Sequence, residues 1–313
     1  MRVDYSREVE RLELNTVEQV QEAMEAERYV SERSLATAIY LGLKLPKPLL
    51  LEGEAGVGKT EVAKVLASVL DTDLIRLQCY EGLDVSHAVY EWNYPRQMLA
   101  IRVMEDRDLS DRQAMEQIFS SDYLIERPLL QAVQHKGKPP VLLIDEIDRA
   151  DEEFEAFLLE LLSDFQVTIP ELGTIKAEHP PIVIITSNRT RELHDALKRR
   201  CLYHWIDYPD VQKELSIITQ KVEGISERLA LQVATFIHEL RREDLYKLPG
   251  VAETLDWASA LLALNNQELN EEIAEATLGA ILKHQEDVQE IRDKKLGELV
   301  TTASSGSATP SDN

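Results

Sequence analysis

The segment GEAGVGKT at residues 53–60 has the spacing Gly-x-x-x-x-Gly-Lys-Thr. Gly53 and Gly58 allow backbone angles at which successive N–H groups point at one anion, above the positive end of the following helix. In this pattern Lys59 reaches the β- and γ-phosphates of a nucleotide, and the Thr60 hydroxyl binds Mg²⁺. The expected nucleotide-binding residues are Gly53, Glu54, Ala55, Gly56, Val57, Gly58, Lys59, Thr60 and Glu61.

A pair of acidic residues follows the apolar run of VLLIDEID, residues 141–148. Asp145 is expected to hold Mg²⁺ through water, and Glu146 to orient and polarise a water that attacks the γ-phosphate. Two acids at a strand end are otherwise simply solvated, or complement the N-terminus of the next helix. Because a phosphate loop precedes them, we favour the catalytic interpretation.

Two later segments add polar candidates. The run PIVIITSN ends at Asn188, which is expected to position the attacking water, with Thr186 and Ser187 as lesser candidates; asparagine at a strand end is otherwise a turn residue. Arg199 and Arg200, in HDALKRRC, either complement a helix C-terminus or act as an arginine finger on the γ-phosphate of a neighbouring subunit. We favour the finger, with Arg200 ahead of Arg199, and therefore expect a ring.

These side chains need a sheet to position them. Apolar runs predict five buried strands, at residues 48–51, 74–80, 140–147, 181–188 and 201–208. They alternate with helical stretches, which is typical of an α/β fold with a parallel sheet between helices. A short hairpin is predicted at about residues 166–176, where the sequence turns around Gly173.

The helical periodicity that follows Pro209, without further strand signals, predicts an all-α second domain. The predicted organisation is an N-terminal extension (1–15), a nucleotide-binding domain (16–209), a helical domain (210–298) and a tail (299–313). The tail is expected to be disordered because its composition is dominated by Ser and Thr.

Composition limits the partners. The net charge of −23, from 34 basic and 57 acidic residues, opposes binding to nucleic-acid backbones and to anionic lipid surfaces. Cys79 and Cys201 have no metal-ligand spacing and are expected to be buried thiols in a reduced, cytoplasmic protein. No apolar segment reaches the roughly 18 residues of a membrane helix. We therefore expect neither nucleic acid nor membrane as a partner.

The order of GEAGVGKT, LLIDEID, IITSN and ALKRRC, followed by helices, resembles the AAA+ ATPases, specifically the MoxR family and its CoxD-like branch, encoded beside carbon monoxide dehydrogenase genes. Supporting stretches are LQCYEGLD, VYEWNYPRQML, LIERPLLQAV and LPGVAETLDWASALLAL. The resemblance implies a P-loop AAA+ core with a helical lid, using ATP and Mg²⁺. It also implies a homo-oligomeric ring, usually a hexamer, that remodels a client protein together with a von Willebrand factor A domain partner. By analogy alone, the client is a metalloenzyme such as a molybdenum hydroxylase.

The resemblance assigns further positions. The long separation between Lys59 and Asp145 indicates an insertion at about residues 84–122. In the family, this insertion and the hairpin face the pore or upper surface of the ring. The insertion contains four residues that would either contact a client or pack locally, Tyr90, Trp92, Tyr94 and Arg96. Tyr29 and Val30 precede the first strand where AAA+ proteins contact adenine; helix packing is the alternative.

This sequence departs from the family at the start of a lid helix. Where many members carry an arginine that contacts the γ-phosphate, GVAETLDWA places Thr254 or a neighbour. Arg241 and Arg242 are candidate substitutes; otherwise the lid senses the nucleotide more weakly. Glu253 and Trp257 are expected to cap and pack the helix.

Two other classes of function remain open. A nucleic-acid translocase or loader uses the same fold, although the acidic balance opposes it. A nucleotide-dependent scaffold with little hydrolysis is suggested by the missing lid arginine.

Overall fold

The computed structural model describes residues 14–45, 47–104 and 111–306. The chain divides into two compact units. Of the described residues, the first unit comprises 14–20, Arg33–Glu52 and Thr60–Trp205, and the second comprises Gln21–Glu32, Gly53–Lys59 and 206–306. The second unit thus includes two segments, 21–32 and 53–59, that the sequence grouped with the nucleotide-binding domain, because periodicity along the chain does not report which segments pack together.

The helices and strands that precede residue 207 are, in chain order, α1 (Val17–Ala26), α2 (Arg33–Lys44), β1 (Leu49–Gly53), α3 (Lys59–Val69), β2 (Leu74–Gln78), α4 (Val85–Ala88), β3 (Tyr90–Trp92), α5 (Tyr94–Met104), α6 (Asp111–Ile118), β4 (Leu124–Glu126), α7 (Pro128–Gln134), β5 (Val141–Asp145), α8 (Glu152–Asp164), β6 (Gln166–Ile169), β7 (Gly173–Lys176), β8 (Ile182–Ser187), α9 (Asp195–Lys198) and β9 (Leu202–Ile206). Short 3₁₀ turns follow α6 and β5, at Ser121–Tyr123 and Ile147–Arg149.

Five of these strands form the central sheet, in the order β2-β5-β8-β1-β9. The pairs β2–β5, β5–β8 and β1–β8 are parallel. Every residue of β1 and β5 is buried, as expected for strands covered on both faces, whose sequences are continuous apolar runs. The predicted α/β fold is confirmed, and the polar residues after β5 and β8 lie at the carboxyl edge of the sheet.

The predicted insertion contains α4, β3, α5 and α6, and β3 pairs antiparallel with β4, which follows the insertion; residues 105–110 lie outside the described ranges. Trp92 is buried and packs edge-on against Phe119, with ring centroids 5.3 Å apart, so it is a packing residue. Tyr94 is exposed.

The predicted hairpin is present as β6 and β7, which pair from Gln166 with Lys176 to Ile169 with Gly173.

The helical part of the second unit consists of α10 (Val211–Lys221), α11 (Glu227–Leu240), α12 (Val251–Ala263), α13 (Glu271–Ile281), α14 (Gln285–Glu290) and α15 (Leu296–Gly306), with a π-helical turn at Ile291–Lys295. Trp257 is fully buried in its core, 4.9 Å from the Phe236 ring. Glu253 accepts a hydrogen bond from the Gly250 N–H and so caps α12, as the sequence predicted for these two side chains. No helix in the described ranges is both long enough and apolar enough to cross a membrane.

The prediction of a disordered tail from residue 299 was wrong for residues 299–306, which are part of α15. Leu299, Val300 and Ala303 are buried against the helical core. Three apolar residues on one helical face are enough to dock a Ser/Thr-rich segment, because helical stability comes mainly from tertiary packing. Residues 307–313, and residues 1–13 of the predicted extension, lie outside the described residues.

A buried ion pair holds the helices of the second unit together at one end. Arg241, at the end of α11, donates to both carboxylate oxygens of Glu214 on α10, with Nη2 2.9 Å from Oε1. The Thr254 hydroxyl donates to the same Oε1 at 2.7 Å, and the Arg241 guanidinium lies 4.6 Å from the ring centroid of Tyr208. The residue at the expected arginine position, Thr254, and the candidate substitute Arg241 therefore both bind Glu214.

We predict that Arg241→Met lowers the free energy of unfolding by about 3–5 kcal/mol, since it leaves a buried carboxylate without its counter-ion. Urea unfolding followed by circular dichroism measures the loss. The adjacent Arg242 is a matched control, because its ion pair with Glu239 is largely exposed and its replacement by Met should cost less than about 1 kcal/mol. Equal losses for the two variants would contradict a stabilising role of the buried pair.

Candidate functional site

The phosphate loop follows β1 and belongs to the second unit. Gly56 and Gly58 have φ angles of +82° and +95°, which disfavour any residue with a side chain. The Gly56 carbonyl accepts a hydrogen bond from the Val251 N–H at 2.9 Å, and a Cβ atom at Gly56 would lie 2.9 Å from the Cα atom of Gly250. The loop is therefore anchored to the N-terminus of α12, which leaves no room for side chains at the contact.

Lys59 is buried and directed at the loop itself. Its Nζ donates to the carbonyl oxygens of Gly53 at 2.8 Å and Glu54 at 2.6 Å. The ammonium group thus lies inside the curve of the loop, where an incoming phosphate would offer it stronger, charged acceptors. Of the other loop residues, Val57 is buried, whereas Ala55 is exposed and Glu61 forms an ion pair with Lys64.

Asp145, at the end of β5 in the first unit, has partners at both carboxylate oxygens. Oδ1 accepts hydrogen bonds from the Thr60 hydroxyl at 2.9 Å and the Thr186 hydroxyl at 2.6 Å. Oδ2 accepts two from Arg76, from Nε at 3.0 Å and Nη2 at 2.6 Å. The side chain is buried, and this set of donors stabilises its negative charge there.

Glu146 follows in a left-handed backbone conformation, with φ of 55° and ψ of 52°. This is uncommon for a residue with a side chain, and such conformations concentrate at functional sites. The Glu146 N–H donates to the Thr186 hydroxyl at 2.9 Å, so Thr186 connects both acidic residues. The carboxylate contacts Arg149 at 2.8 Å, Gln78 at 3.2 Å and the Asn188 amide at 3.4 Å.

Asn188 follows β8 and is brought to Glu146, as expected for parallel neighbours. Its Nδ2 donates to Glu146 Oε1, and its N–H donates to Asp148 Oδ1 at 3.2 Å. Asp148 also accepts from the N–H of Thr190 at 2.9 Å and from its hydroxyl at 2.7 Å, which fixes the turn after β8. Ser187 is buried and accepts from the Arg189 N–H, so its contact is with the same turn.

The two arginines after α9 are exposed in the first unit. Arg200 donates from Nε to the Ser163 hydroxyl at 2.9 Å and from Nη1 to the Ala196 carbonyl at 3.1 Å. Arg199 lies 4.0 Å from Asp195, and both of these side chains are about four-fifths exposed. Arg200 is thus held in place at the surface, whereas Arg199 has a weaker, solvated contact.

The two predicted adenine contacts, Tyr29 and Val30, lie after α1 in the second unit and are partly buried. The Tyr29 N–H donates to the Met24 carbonyl at 3.0 Å. This backbone bond terminates the helix, and the adenine role of both residues stays a prediction.

Sequence reasoning did not select Arg76, Gln78 or Arg149, although each contacts a predicted acidic residue. Arg76 and Gln78 are polar residues two positions apart in the strand LIRLQ, so they project from one face of β2. Gln78 pairs with Asp145 across the sheet. Alternating polarity in an otherwise apolar strand was the available signal, but its meaning depended on β2 lying beside β5.

The residues of the first unit fit a magnesium ion. Thr60 Oγ1 and Asp145 Oδ1 are hard oxygen donors 2.9 Å apart. Mg²⁺ is typically held by one or two carboxylates together with water and substrate phosphates, rather than by a cage of protein ligands. The described residues contain no group of three or more His, Cys, Asp or Glu side chains arranged to hold a metal.

One family model and several uncharacterized bacterial proteins are similar to this chain. Residues 48–201 match the family model described as "AAA domain (dynein-related subfamily)". An uncharacterized protein of Staphylococcus epidermidis is 24% identical over 254 residues, which are 79% of this chain and 88% of that protein. An uncharacterized protein of Staphylococcus haemolyticus is 24% identical over 253 residues, 79% of this chain and 87% of that protein.

Among solved structures, the Thermotoga maritima RuvB Holliday junction branch migration motor is similar at 18% identity with a TM-score of 0.43, covering 86% of this chain and 72% of that chain. A mutant of the same motor has 18% identity and a TM-score of 0.46, covering 79% of this chain and 68% of that chain.

Cys79 provides a chemical probe of the acidic site. Burial, and then the charges of Asp145, Asp148 and Glu146, raise the pKa of its thiol to about 12. Burial raises the pKa of Cys201 to about 12 as well. We predict that the native protein reacts with neither Ellman's reagent nor iodoacetamide at pH 8, since roughly one thiol in ten thousand is then ionised.

The raised thiol pKa values make the stability of the folded protein depend on pH. The folded pKa is above the unfolded one of about 9, so the stabilising contribution of each thiol is complete below pH 9 and is lost as the pH rises towards 12. Thiol titration of the Cys201→Ser variant, native and in urea, isolates Cys79. Labelling of native Cys79 at pH 8 at the rate measured in urea would contradict its burial among the carboxylates.

Proposed function

Because residues 48–201 match the family model of an AAA domain, we propose that this protein binds Mg·ATP and hydrolyses it to ADP and phosphate. The observation that carries the proposal is the hydrogen bond of 2.9 Å between Thr60, the last residue of the phosphate-loop motif, and Asp145. It joins the two halves of the predicted metal site, and Glu146 with Asn188 follows directly beside it.

Each side chain has a defined task in this proposal. Lys59 exchanges the carbonyl oxygens of its own loop for phosphate oxygens. Thr60 and Asp145 would hold Mg²⁺, Asp145 through water, and the ion would neutralise charge on the phosphates. Glu146 polarises the attacking water, and Asn188, whose amide lies 3.4 Å from the Glu146 carboxylate, orients it.

Glu146 must exchange its partners before it can act as a base. Its carboxylate is in contact with Arg149, Gln78 and Asn188. Arg149 and Gln78 both contact Oε2 of the carboxylate, so they occupy an oxygen that a water would have to reach. Because the Arg149 side chain is more than half exposed, the exchange costs little, and water or substrate can replace it.

We further propose that the protein acts as a homo-oligomeric ring, most simply a hexamer, in which Arg200 reaches the γ-phosphate of a neighbouring subunit. The support is the exposed position of Arg200 and its fixed orientation by Ser163 and Ala196. A guanidinium there adds positive charge where the transition state develops negative charge.

The work that hydrolysis drives is proposed to be the remodelling of a client protein in the cytoplasm, as in the MoxR family. The insertion supports this role, because α5 exposes Tyr94, Met98 and Leu99, each by more than half, and exposed apolar groups of this kind favour binding to protein. A von Willebrand factor A domain partner and a metalloenzyme client, such as a molybdenum hydroxylase, are proposed from the resemblance of the motifs alone.

We predict that Glu146→Gln lowers kcat for ATP hydrolysis by a factor of about 10²–10⁴, the usual contribution of a general base, while ATP still binds. Phosphate release measures kcat, and a fluorescent ATP analogue measures binding. Lys59→Ala should lose binding as well, whereas Glu153→Gln, at an exposed acid of α8, should leave both unchanged. Negligible hydrolysis by the wild type and by Glu146→Gln alike, with ATP bound, would instead indicate a nucleotide-dependent scaffold.

We predict that Arg200→Ala reduces hydrolysis by a factor of about 10³, the lower end for an arginine finger, and that Arg199→Ala has a much smaller effect. Mixing provides a sharper measurement: inactive Glu146→Gln subunits donate Arg200 to Arg200→Ala subunits with intact sites. Hydrolysis should recover in the mixture. Full activity of Arg200→Ala on its own, or no recovery on mixing, would contradict a finger shared between subunits.

A further inference from the structure

Arg76 has a contact that the proposed chemistry does not explain. It lies on β2, and both Nε and Nη2 donate to one oxygen of Asp145, Oδ2, at 3.0 and 2.6 Å. Asp145 is 2% exposed, whereas the Arg76 side chain is 49% exposed. A buried carboxylate on the metal site is therefore neutralised by a cation that reaches it from the surface.

The two oxygens of Asp145 are used differently. Oδ1 is directed to the hydroxyls of Thr60 and Thr186, and Oδ2 is directed to Arg76. Thr186 fixes the carboxylate from β8, and Arg76 fixes it from β2, on the opposite side of β5 in the strand order. Arg76 thus holds the carboxylate in the rotation that presents Oδ1 to the phosphate-loop threonine.

The surrounding charge explains why a cation is needed here. Asp145, Glu146 and Asp148 lie within four residues, and all three act electrostatically on Cys79. Among the described residues, Arg76 forms an ion pair with Asp145, and Arg149 forms an ion pair with Glu146. The adjacent carboxylates of Asp145 and Glu146 attract a divalent ion, and the positive charge of Arg76, bonded to Asp145, opposes its entry.

We propose that Arg76 is a positioning residue that couples Mg²⁺ binding to nucleotide binding. It holds Asp145 with Oδ1 towards Thr60, and its charge keeps Mg²⁺ from the carboxylates until phosphates arrive. The phosphates then supply the negative charge that outweighs Arg76, so metal and nucleotide enter together. The inference rests on the proposed nucleotide function of this site.

The test is a calorimetric titration of the full-length protein with MgCl₂ at constant ionic strength and without nucleotide. The wild type should bind Mg²⁺ weakly. Arg76→Gln removes the charge and should bind Mg²⁺ at least about tenfold more tightly, whereas Arg76→Lys keeps the charge and should remain close to the wild type. Adding Asp145→Asn to Arg76→Gln should abolish the gain.

Lys64→Gln is the matched control for loss of one positive charge, since Lys64 is exposed and pairs with Glu61 away from Asp145; it should leave Mg²⁺ affinity unchanged. If Arg76→Gln does not fold, Arg76→Met removes the charge while keeping an apolar stem. Unchanged Mg²⁺ affinity in the uncharged variant, or equal tightening in Arg76→Lys, overturns the inference. Because this assay contains no ATP, its result is independent of whether Glu146→Gln and the wild type differ in hydrolysis.

Discussion

The carboxylate of Asp145, the proposed magnesium ligand, is buried at the end of a strand. Burial of an unpaired charge is costly, so each oxygen must have hydrogen-bond donors. Thr60 and Thr186 supply hydroxyls, and Arg76 supplies a charged group. These donors come from α3, β8 and β2, so they can meet at this carboxylate only because β5 lies between β2 and β8.

The same principle applies to the other reactive side chains. Lys59 is bonded to carbonyl oxygens of its own loop, and Glu146 is bonded to Arg149, Gln78 and Asn188. Each charge is satisfied by groups that a substrate phosphate, a water or a metal ion can replace.

The helical unit uses its buried charges for packing. Glu214 is inaccessible to solvent, and its partners Arg241 and Thr254 come from two other helices. Removing Arg241 or Glu214 leaves the other buried ion without its partner, so the two charged side chains depend on one another. A neighbouring contact, between Gly56 of the phosphate loop and Gly250 before α12, brings two backbones together without side chains. Thr254, which the sequence placed at or beside the position of the lid arginine of many AAA+ proteins, is consequently a residue that binds a protein carboxylate.

Much of the fold followed from the sequence, because the apolar runs of β1, β5 and β8 and the helical periodicity are local patterns that burial imposes. The hairpin of β6 and β7, the glycine-rich loop and the capping role of Glu253 were predictable for the same local reason. The error at residues 299–306 arose because composition suggested disorder, while three apolar residues sufficed to dock the helix.

The sequence by itself determined which residues are candidates for phosphate and metal chemistry, since those residues lie at fixed spacings within single strand–loop segments. Only the tertiary structure decided their partners. Arg76 and Gln78 reach Asp145 and Glu146 because β2 pairs in parallel with β5 in one register, with Gln78 opposite Asp145. A shift of one residue would turn both side chains to the other face of the sheet. Register and strand order are set by packing over the whole sheet, and no local pattern in the chain records them.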